Sequence, residues 1–462
     1  MKNRSYTTRQ FVLSGLFIVL SAWSRAHDHP HAHTDWAPTP FAEALAHAPT
    51  PLPDRVVLTW ADDPTTTQAV TWRTDTSVAR GVAEVAVAVD HGPALVASNT
   101  DATTEKLVSD LGEAHYQGVV FRNLIPDTLY AYRVGDGANW SEWFHFRTAS
   151  REAKRFSFIY FGDAQNDVKT HWSRVFREAF REAPRAAFTL HAGDLINRAH
   201  RDAEWGEWFG APAWVNASVP VVATPGNHEY GALTAEEGAP RVLSRNWRPQ
   251  FAFPENGPSG LEETCWYLDY QGVRIVSLDS NRMQEEQTSW LRRVLAENPN
   301  RWTVVTFHHP LFSPARDRDN AKLREAWKPV LDEFKVDLVL TGHDHTYARS
   351  GVVDPRIRVG TTNVAKGYNQ VYDPTIGSVY VVSVSGPKMY DLSSDDWAVR
   401  AAEDTQLFQI VTIDGDELRF EARTATNVLY DGFTLRKRGK GEPNELIELL
   451  PAETRRKRQP TS

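Results

Sequence analysis

Two patterns of hydrophobic and polar positions follow one another along this chain. Between residues 51 and 150 the apolar stretches are short, alternate with polar positions, and are cut by Pro, Asp and Gly. "VVLTW" (56–60), "QAVTWRT" (68–74), "HYQGVVFRNL" (115–124), "LYAYRVGDG" (129–137) and "SEWFHFRT" (141–148) are such stretches. Period-two alternation in short runs predicts strands covered on one face, and about a hundred residues of it predict a β-sandwich. From Arg155 the pattern changes. Continuous apolar runs, "RFSFIYF" (155–161), "AAFTLHA" (186–192), "VPVVATP" (219–225), "VRIVSLDS" (273–280), "WTVVTFH" (302–308) and "VDLVLTG" (336–342), read as buried strands. Between them, residues 171–183, 285–298 and 321–334 carry apolar side chains at helical spacing. Strands alternating with helices predict an α/β fold with helices on both faces. Further on, 377–387 reads as a strand and 407–422 as a hairpin turning at "DGD". Beyond Arg438 periodicity fades, and residues 436–462 are expected to be a disordered tail.

Composition narrows the class. A chain of 462 residues is long enough for two or three domains, and 41% hydrophobic with 24% charged residues is ordinary for a globular protein. A net charge of -8 argues against a general nucleic-acid binder. Phosphate substrates stay possible, because bound cations invert the charge of a site. Cys265 is the single cysteine, which excludes an intrachain disulfide and a thiolate metal cluster and leaves it as a core residue. At the N-terminus, Lys2, Arg4 and Arg9 precede the apolar run "FVLSGLFIVLSAW" and the small residues of "SRA". Residues 1–26 thus read as a secretory signal cut after Ala26, with an uncleaved anchor as the alternative, and the mature protein as periplasmic or extracellular and free of the membrane. His27, His29, His31 and His33 open a linker over 27–50 that reads as a mobile tail, able at most to bind metal loosely.

Chemistry gathers where the strands of the second region end. The first is followed by "GDAQ", with Asp163 and Gln165, and the second by "GDLIN", with Asp194. The third is followed by "GNHEY", with Asn227 and His228. Later strands lead into "HHP", with His308 and His309, and "GHDH", with His343, Asp344 and His345. A single acid or imidazole after a strand is usually a turn residue. Five such loops in order are a different matter, since strand ends on one edge of a parallel sheet lie together and open α/β sheets bind ligands there. Carboxylate, amide oxygen and imidazole without thiolate suit Zn, Fe, Mn or Co better than Ca. The donors are too many for one ion. Two ions about 3.5 Å apart that share a carboxylate form a clamp for in-line displacement at phosphorus.

These ordered motifs resemble the calcineurin-like metallophosphoesterase superfamily. With the preceding sandwich, the layout is similar to the purple acid phosphatases, whose N-terminal domain is fibronectin-like. "NLIPDTLYAYRV" (123–134) resembles the tyrosine corner of fibronectin type III domains, with Leu124, Pro126 and Tyr130 at the corner and Tyr130 or Tyr132 bonding back to the chain. The resemblance implies an all-β fibronectin III-like sandwich over 51–150, followed over 151–435 by an α/β metallophosphoesterase domain with an α-β-β-α sandwich. It implies that Asp194 bridges two metals, that Asp163 and His345 complete one site, and that Asn227, His308 and His343 complete the other. His308 is preferred to His309 because the family's ligand stands two residues before the Pro, here Pro310. His228 would steady the transition state or protonate the leaving group, and His309 is a second candidate for that proton. Asp344 would orient a ligand imidazole or its loop. Arg245 and Arg248, in a long insertion after "GNHEY", read as surface arginines, with reach to substrate phosphate as the alternative.

The chain departs from its relatives' pattern at two positions. Asn197 stands where purple acid phosphatases carry a tyrosine, and Gln165 where the wider superfamily carries a histidine. Gln165 can offer an amide oxygen to a metal or hydrogen-bond a water that does. Neutral donors there stabilise Fe³⁺ less than tyrosinate, so the expectation is two divalent transition-metal ions (Fe, Zn or Mn) and no purple colour. The implied activity is hydrolysis of small phosphomonoesters by in-line attack of hydroxide formed at the metals. A phosphodiesterase of the same superfamily and a non-catalytic surface-binding protein are the alternatives.

Overall fold

The structure is a computed structural model that describes residues 40–351, 371–393, 397–439, 441–449, 453 and 455–457. The secretory signal and His27 to His33 lie outside the described residues.

After a one-turn helix α1 (Glu43–Ala46), eight strands build the sandwich: β1 (Asp54–Thr59), β2 (Gln68–Thr74), β3 (Val82–Val87), β4 (Ser98–Asp101), β5 (Thr103–Ser109), β6 (Gly112–Phe121), β7 (Leu129–Gly135) and β8 (Phe144–Arg147). They pair antiparallel in two sheets, β1-β2-β6-β5 and β4-β3-β7-β8. Leu58, Val70, Trp72, Phe121, Tyr132 and Phe146 fill the space between them. Tyr130 makes the expected corner: its hydroxyl accepts the Ile125 N–H at 2.8 Å. Tyr132 bonds elsewhere, donating to the Ala217 carbonyl of the second region at 2.6 Å. The stretch holding β3, β4 and β5 does not read as strands in the sequence because much of it is polar: β4 is "SNTD", and β5 buries only Leu107.

Every residue of β2 is buried, because its second face packs on the α/β region. There the Thr71 hydroxyl donates to the Gln250 carbonyl at 2.6 Å. Arg55 and Arg73 both reach the Asp202 carboxylate, at 2.7 and 3.3 Å. Breaking such a buried group of charges costs about 3–5 kcal/mol, so the sandwich is a fixed part of the body.

The α/β region runs β9 (Phe156–Phe161), α2 (Ser173–Glu182), β10 (Thr189–His191), α3 (Asp202–Gly210), β11 (Val221–Ala223), the hairpin β12 (Tyr230–Ala232) and β13 (Arg241–Leu243), and α4 (Trp247–Gln250). It continues with β14 (Trp266–Tyr270), β15 (Val273–Ser277), α5 (Gln284–Ala296), β16 (Trp302–Thr306), α6 (Ala321–Glu333), β17 (Leu338–Thr341), β18 (Tyr347–Arg349), β19 (Val379–Val382) and β20 (Arg400–Ala402). It closes with β21 (Leu407–Asp414), β22 (Glu417–Thr424), β23 (Leu429–Arg436), β24 (Glu445–Glu448) and β25 (Arg455–Arg456). Two mixed sheets result, β11-β10-β9-β21-β22-β23-β24 and β14-β15-β16-β17-β19-β18-β20-β25. Neighbouring residues of one strand fall on opposite sides of a sheet: Ile275, Val304 and Leu338 face the core between the sheets, while Val276, Val305 and Val339 face α5 and α6. Burial on both faces is why these strands read as unbroken apolar runs.

Two expectations need correction. The motif-bearing loops do not leave one parallel edge. Those with Asp163, Asp194 and Asn227 follow β9, β10 and β11 of one sheet, and those with His308 and His343 follow β16 and β17 of the other. The site therefore spans the facing ends of two sheets. Nor is the whole of 436–462 a disordered tail. β24 pairs with β23, Leu446 is buried, and Glu448 receives Arg349 at 2.7 Å. A four-residue strand with one inward apolar side chain leaves no periodicity to read.

Candidate active site

Four of the five loops bring a glycine and then a polar residue to the same place, the fifth brings His308 after Phe307, and the glycines allow the crowding. A Cβ on Gly226 would stand 2.1 Å from Asp194 Oδ1, and one on Gly342 would stand 2.2 Å from Asp163 Oδ1. Asp194, His343 and His345 all have left-handed backbones, with φ of 52°, 74° and 43°. Such conformations cost non-glycine residues about 1–3 kcal/mol and gather at functional sites.

Asp194 sits at the centre. Its Oδ1 accepts the His228 N–H at 2.8 Å. Its Oδ2 accepts from the Gln165 amide at 3.0 Å and lies 3.1 Å from His308 Nε2. On one side, Asp163 Oδ2 lies 3.1 Å from His345 Nε2, and the Gln165 amide nitrogen 2.9 Å from that same Nε2. On the other, His308 Nε2 lies 3.1 Å from both Asn227 Oδ1 and His343 Nδ1. Two sets of candidate metal donors emerge that share Asp194: Asp163, Asp194 and His345, and Asp194, His308 and His343, with the donor atoms of each set within 4.8 Å of one another.

The ring orientations follow from what holds the opposite nitrogen. His308 Nδ1 donates to the Ala192 carbonyl and His345 Nδ1 to the Lys388 carbonyl, at 2.8 and 2.9 Å, which turns each Nε2 inward. His228 Nδ1 donates to the Asn197 carbonyl at 2.5 Å, leaving its Nε2 4.0 Å from Asp194 Oδ2. Carbonyl partners of this kind fix the tautomer of metal-ligating histidines. His309 points away from Asp194, with Nδ1 2.8 Å from the Ser280 hydroxyl and its ring packed 4.1 Å from that of His343.

The donors fit a cation. Asp163 Oδ2 and Gln165 Oε1 are buried and have no hydrogen-bond partner, an arrangement that is costly without a positive charge. Burial opposes the charge on Asp163, but the His345 and His308 imidazoles and the His343 N–H outweigh it and hold the carboxyl below its ordinary range. Burial also opposes a charge on His308, yet the Asp194 and Asp163 carboxylates raise it to about 10. Burial and the charge of His308 push His309 down to about 3. Two acids, an amide oxygen and buried imidazoles converge there as the donor set of a cation would.

Other residues assemble the site without a clear trace in the sequence. The Glu229 carboxylate is fully buried and accepts the N–H groups of Asp194, Leu195 and Gly226, at 2.8, 2.8 and 2.6 Å, joining two of the loops. Burial and the nearby Asp194 charge raise its pKa. Arg318 contacts His343 Nε2 and lies 3.0 Å from Asp344 Oδ1, and Ser313 donates to Asp344 Oδ2. Asp344 therefore holds Ser313 and Arg318 and does not bond a ligand imidazole. Arg245 and Arg248 take the surface alternative: Arg245 donates to the Val108 carbonyl of β5 and Arg248 pairs with Glu262, because their loop turns toward the sandwich.

Known proteins carry the same two parts. The family described as calcineurin-like phosphoesterase matches residues 156–347, and the N-terminal domain of purple acid phosphatase matches residues 53–148. An uncharacterised protein of Mycobacterium tuberculosis is 29% identical over 306 residues, covering 57% of this chain and 56% of that protein. Acid phosphatase type 7 of Danio rerio is 28% identical over 270 residues, covering 50% of this chain and 56% of its own length. The chain thus spans about half the length of the curated relatives it matches. A purple acid phosphatase from yellow lupin seeds shares the fold, with a TM-score of 0.68 at 18% identity over 84% of this chain and 75% of that one. Residues 53–148 are thus similar to the purple acid phosphatase N-terminal domain and residues 156–347 to the calcineurin-like phosphoesterases, the same two parts in the same order as in the purple acid phosphatases the chain resembles.

Proposed function

We propose that this protein is a phosphatase that hydrolyses small phosphomonoesters, with one divalent transition-metal ion at Asp163, Gln165, Asp194 and His345 and a second at Asp194, Asn227, His308 and His343. The observation that carries the reading is the pair of donor sets sharing Asp194 at the facing ends of two sheets. Bound there, such ions supply positive charge for the phosphoryl oxygens and lower the pKa of water. The protein's own groups do the rest. Asp194 is pinned by Glu229 through its own N–H and by the His228 N–H at Oδ1, and Asn227 Oδ1 lies 3.1 Å from His308 Nε2, so the polar surface is preorganised. His228, anchored through Nδ1, presents Nε2 to whatever lies beside Asp194 and is the group placed to give a proton to the departing alkoxide. His309, turned toward Ser280 and held neutral by burial and the charge of His308, is the weaker candidate for that proton.

The test is elemental analysis with an activity assay on protein beginning after His33, which keeps the His-rich tail out of the count. About two transition-metal equivalents and turnover of aryl and alkyl monoesters support the reading. Absence of bound metal after incubation with Zn²⁺, Mn²⁺ and Fe²⁺ overturns it. Turnover of diesters above monoesters moves the assignment to a phosphodiesterase. With Asn197 in the tyrosine's place, the iron-loaded protein is expected to lack a visible charge-transfer band, which an absorption spectrum checks. Export from the cytoplasm is part of the proposal and rests on residues 1–26. N-terminal sequencing of protein recovered outside the cytoplasm should begin at His27.

A further inference from the structure

Strand β15 ends at Ser277, and the residues that follow, Leu278, Asp279, Ser280 and Asn281, belong to neither donor set. Their turn is held firmly all the same. Leu278, Asp279 and Ser280 are buried. The Gln287 side chain of α5 clamps Asp279: its Oε1 accepts the Asp279 N–H at 2.8 Å, and its Nε2 donates to the Asp279 carbonyl at 2.7 Å. Asp279 Oδ1 accepts the backbone N–H and the side-chain amide of Asn281, at 3.0 and 2.9 Å, and Oδ2 accepts the Tyr230 hydroxyl. The side chain of Asn281 is thereby presented in a fixed direction.

From this turn, bonds run to loops of both sheets. Toward the loop after β11, the Asn281 amide donates to the Pro225 and Gly226 carbonyls at 3.2 and 3.3 Å, and the Thr224 hydroxyl donates to the Leu278 carbonyl at 2.8 Å. The Gly226 carbonyl lies in the peptide plane that carries the Asn227 N–H, so its orientation sets where the Asn227 side chain begins. Toward the loop after β16, the Ser280 hydroxyl accepts the His309 N–H at 3.1 Å and lies 2.8 Å from His309 Nδ1. That fixes the residue beside His308, and with it the ring packed 4.1 Å from that of His343. Every tie therefore ends next to a donor of the second set, Asn227, His308 or His343. The first set has a separate tie: the Asp163 carbonyl accepts the Ser385 and Gly386 N–H groups at 3.0 and 2.6 Å, and the Lys388 carbonyl holds His345.

Resting on the two-metal phosphatase reading above, we infer that Asn281 and Ser280 are positioning residues for the second donor set. Acting through the Gly226 carbonyl and His309, they hold Asn227 and His308, which come from different sheets, in register with one another.

The experiment loads the full chain with Zn²⁺ and follows release of the ions to a chelator, beside the unfolding midpoint. Asn281→Asp keeps the size of the side chain but sets an oxygen against the Gly226 carbonyl. One of the two ions should leave about tenfold faster and the other at the wild-type rate. Ser280→Ala should speed the same ion about threefold, the loss of one hydrogen-bonding group, and Ser280→Thr, which keeps the hydroxyl, should restore the wild-type rate. Added to His308→Ala, which lacks the second set, Asn281→Asp should leave release of the remaining ion unchanged. Excess Zn²⁺ should restore kcat of Asn281→Asp with p-nitrophenyl phosphate, as it would for a defect of affinity and not for one of fold. Unchanged release in both Asn281→Asp and Ser280→Ala, or equal acceleration of both ions, overturns the positioning role and leaves the phosphatase reading intact. Loss of the fold in both variants overturns it too, since the turn would then hold the sheets together and not the donors. A wild type that binds no metal, or hydrolyses no phosphomonoester, overturns the phosphatase reading itself.

Discussion

The two donor sets share one aspartate and differ in almost everything else. Asp163, Gln165 and His345 are sealed, with exposures of 0, 1 and 2%. In the other set His308 is sealed, but Asn227 and His343 are half-buried. The first set has its own carboxylate beyond Asp194, and His345 rests on a backbone carbonyl. The second has no carboxylate beyond Asp194, only an amide and two imidazoles, and a guanidinium, Arg318, stands behind His343. The difference teaches how one clamp can do two jobs. On the proposed reading, the dry set with two carboxylates would retain a cation more firmly, and the open set beside His228 and His309, with Asp194 as its one carboxylate, would be the one that meets the substrate.

The largest break is at the shared residue. Asp194→Asn should leave less than one metal equivalent per chain and lower kcat by on the order of a thousandfold or more, since each tenfold corresponds to about 1.4 kcal/mol and a metal clamp supplies several. Elemental analysis and initial rates check this. If Asp194→Asn kept two equivalents, the sharing would be wrong. Next is His308→Ala, which should empty the second set and leave about one equivalent in the first. Loss of both ions together would show that the sets are not separable and would end the comparison.

How far the sequence foretold this arrangement depended on whether a residue's role is local. The buried strands were legible because both faces of β15, β16 and β17 are covered and their runs are continuously apolar. The polar strands β4 and β5 were not, and neither was β24, where one leucine carries the packing. Most donors were legible because they stand within three residues of a glycine that follows a strand, and His308 because it opens "HHP" just after β16. Glu229 was not, although it lies inside "GNHEY": it acts on backbone N–H groups of residues 194 and 195, thirty-odd positions away. No local pattern distinguishes it from a surface acid. Arg318 was missed for the same reason, and Arg245 and Arg248 stayed open between surface and substrate because a long insertion does not reveal which way it folds.

Glu229 gives the third test, smaller than the first two because it touches no donor atom. Glu229→Gln keeps the shape and one acceptor oxygen but places an NH₂ against backbone N–H groups of the Asp194 and Gly226 loops. Metal affinity should fall about tenfold in both sets alike, with a lower unfolding midpoint, because partners of this kind typically contribute 10–100-fold. Titration calorimetry with Zn²⁺ separates the outcomes. A loss confined to one set would mean that Glu229 belongs to that half alone.

The smallest effect is the most informative about the sealed set. The Gln165 amide nitrogen lies 3.0 Å from Asp194 Oδ2 and 2.9 Å from His345 Nε2, while its oxygen is buried without a partner. A half-turn of the amide exchanges the two, setting the oxygen between a carboxylate and an imidazole, where only a cation gives it a favourable neighbour. If the amide ligates in that form, Gln165→Ala should speed metal loss to a chelator by about tenfold, and Gln165→His, with a stronger nitrogen donor at a site of similar volume, should slow it. If it only orders Asp194, both variants should release metal at similar rates, each faster than wild type, since neither restores the amide hydrogen bond. A histidine that retains metal better than the native glutamine would make the sealed set a weakened form of a stronger site. The contrast between the two sets would then be one of degree, set by a single side chain.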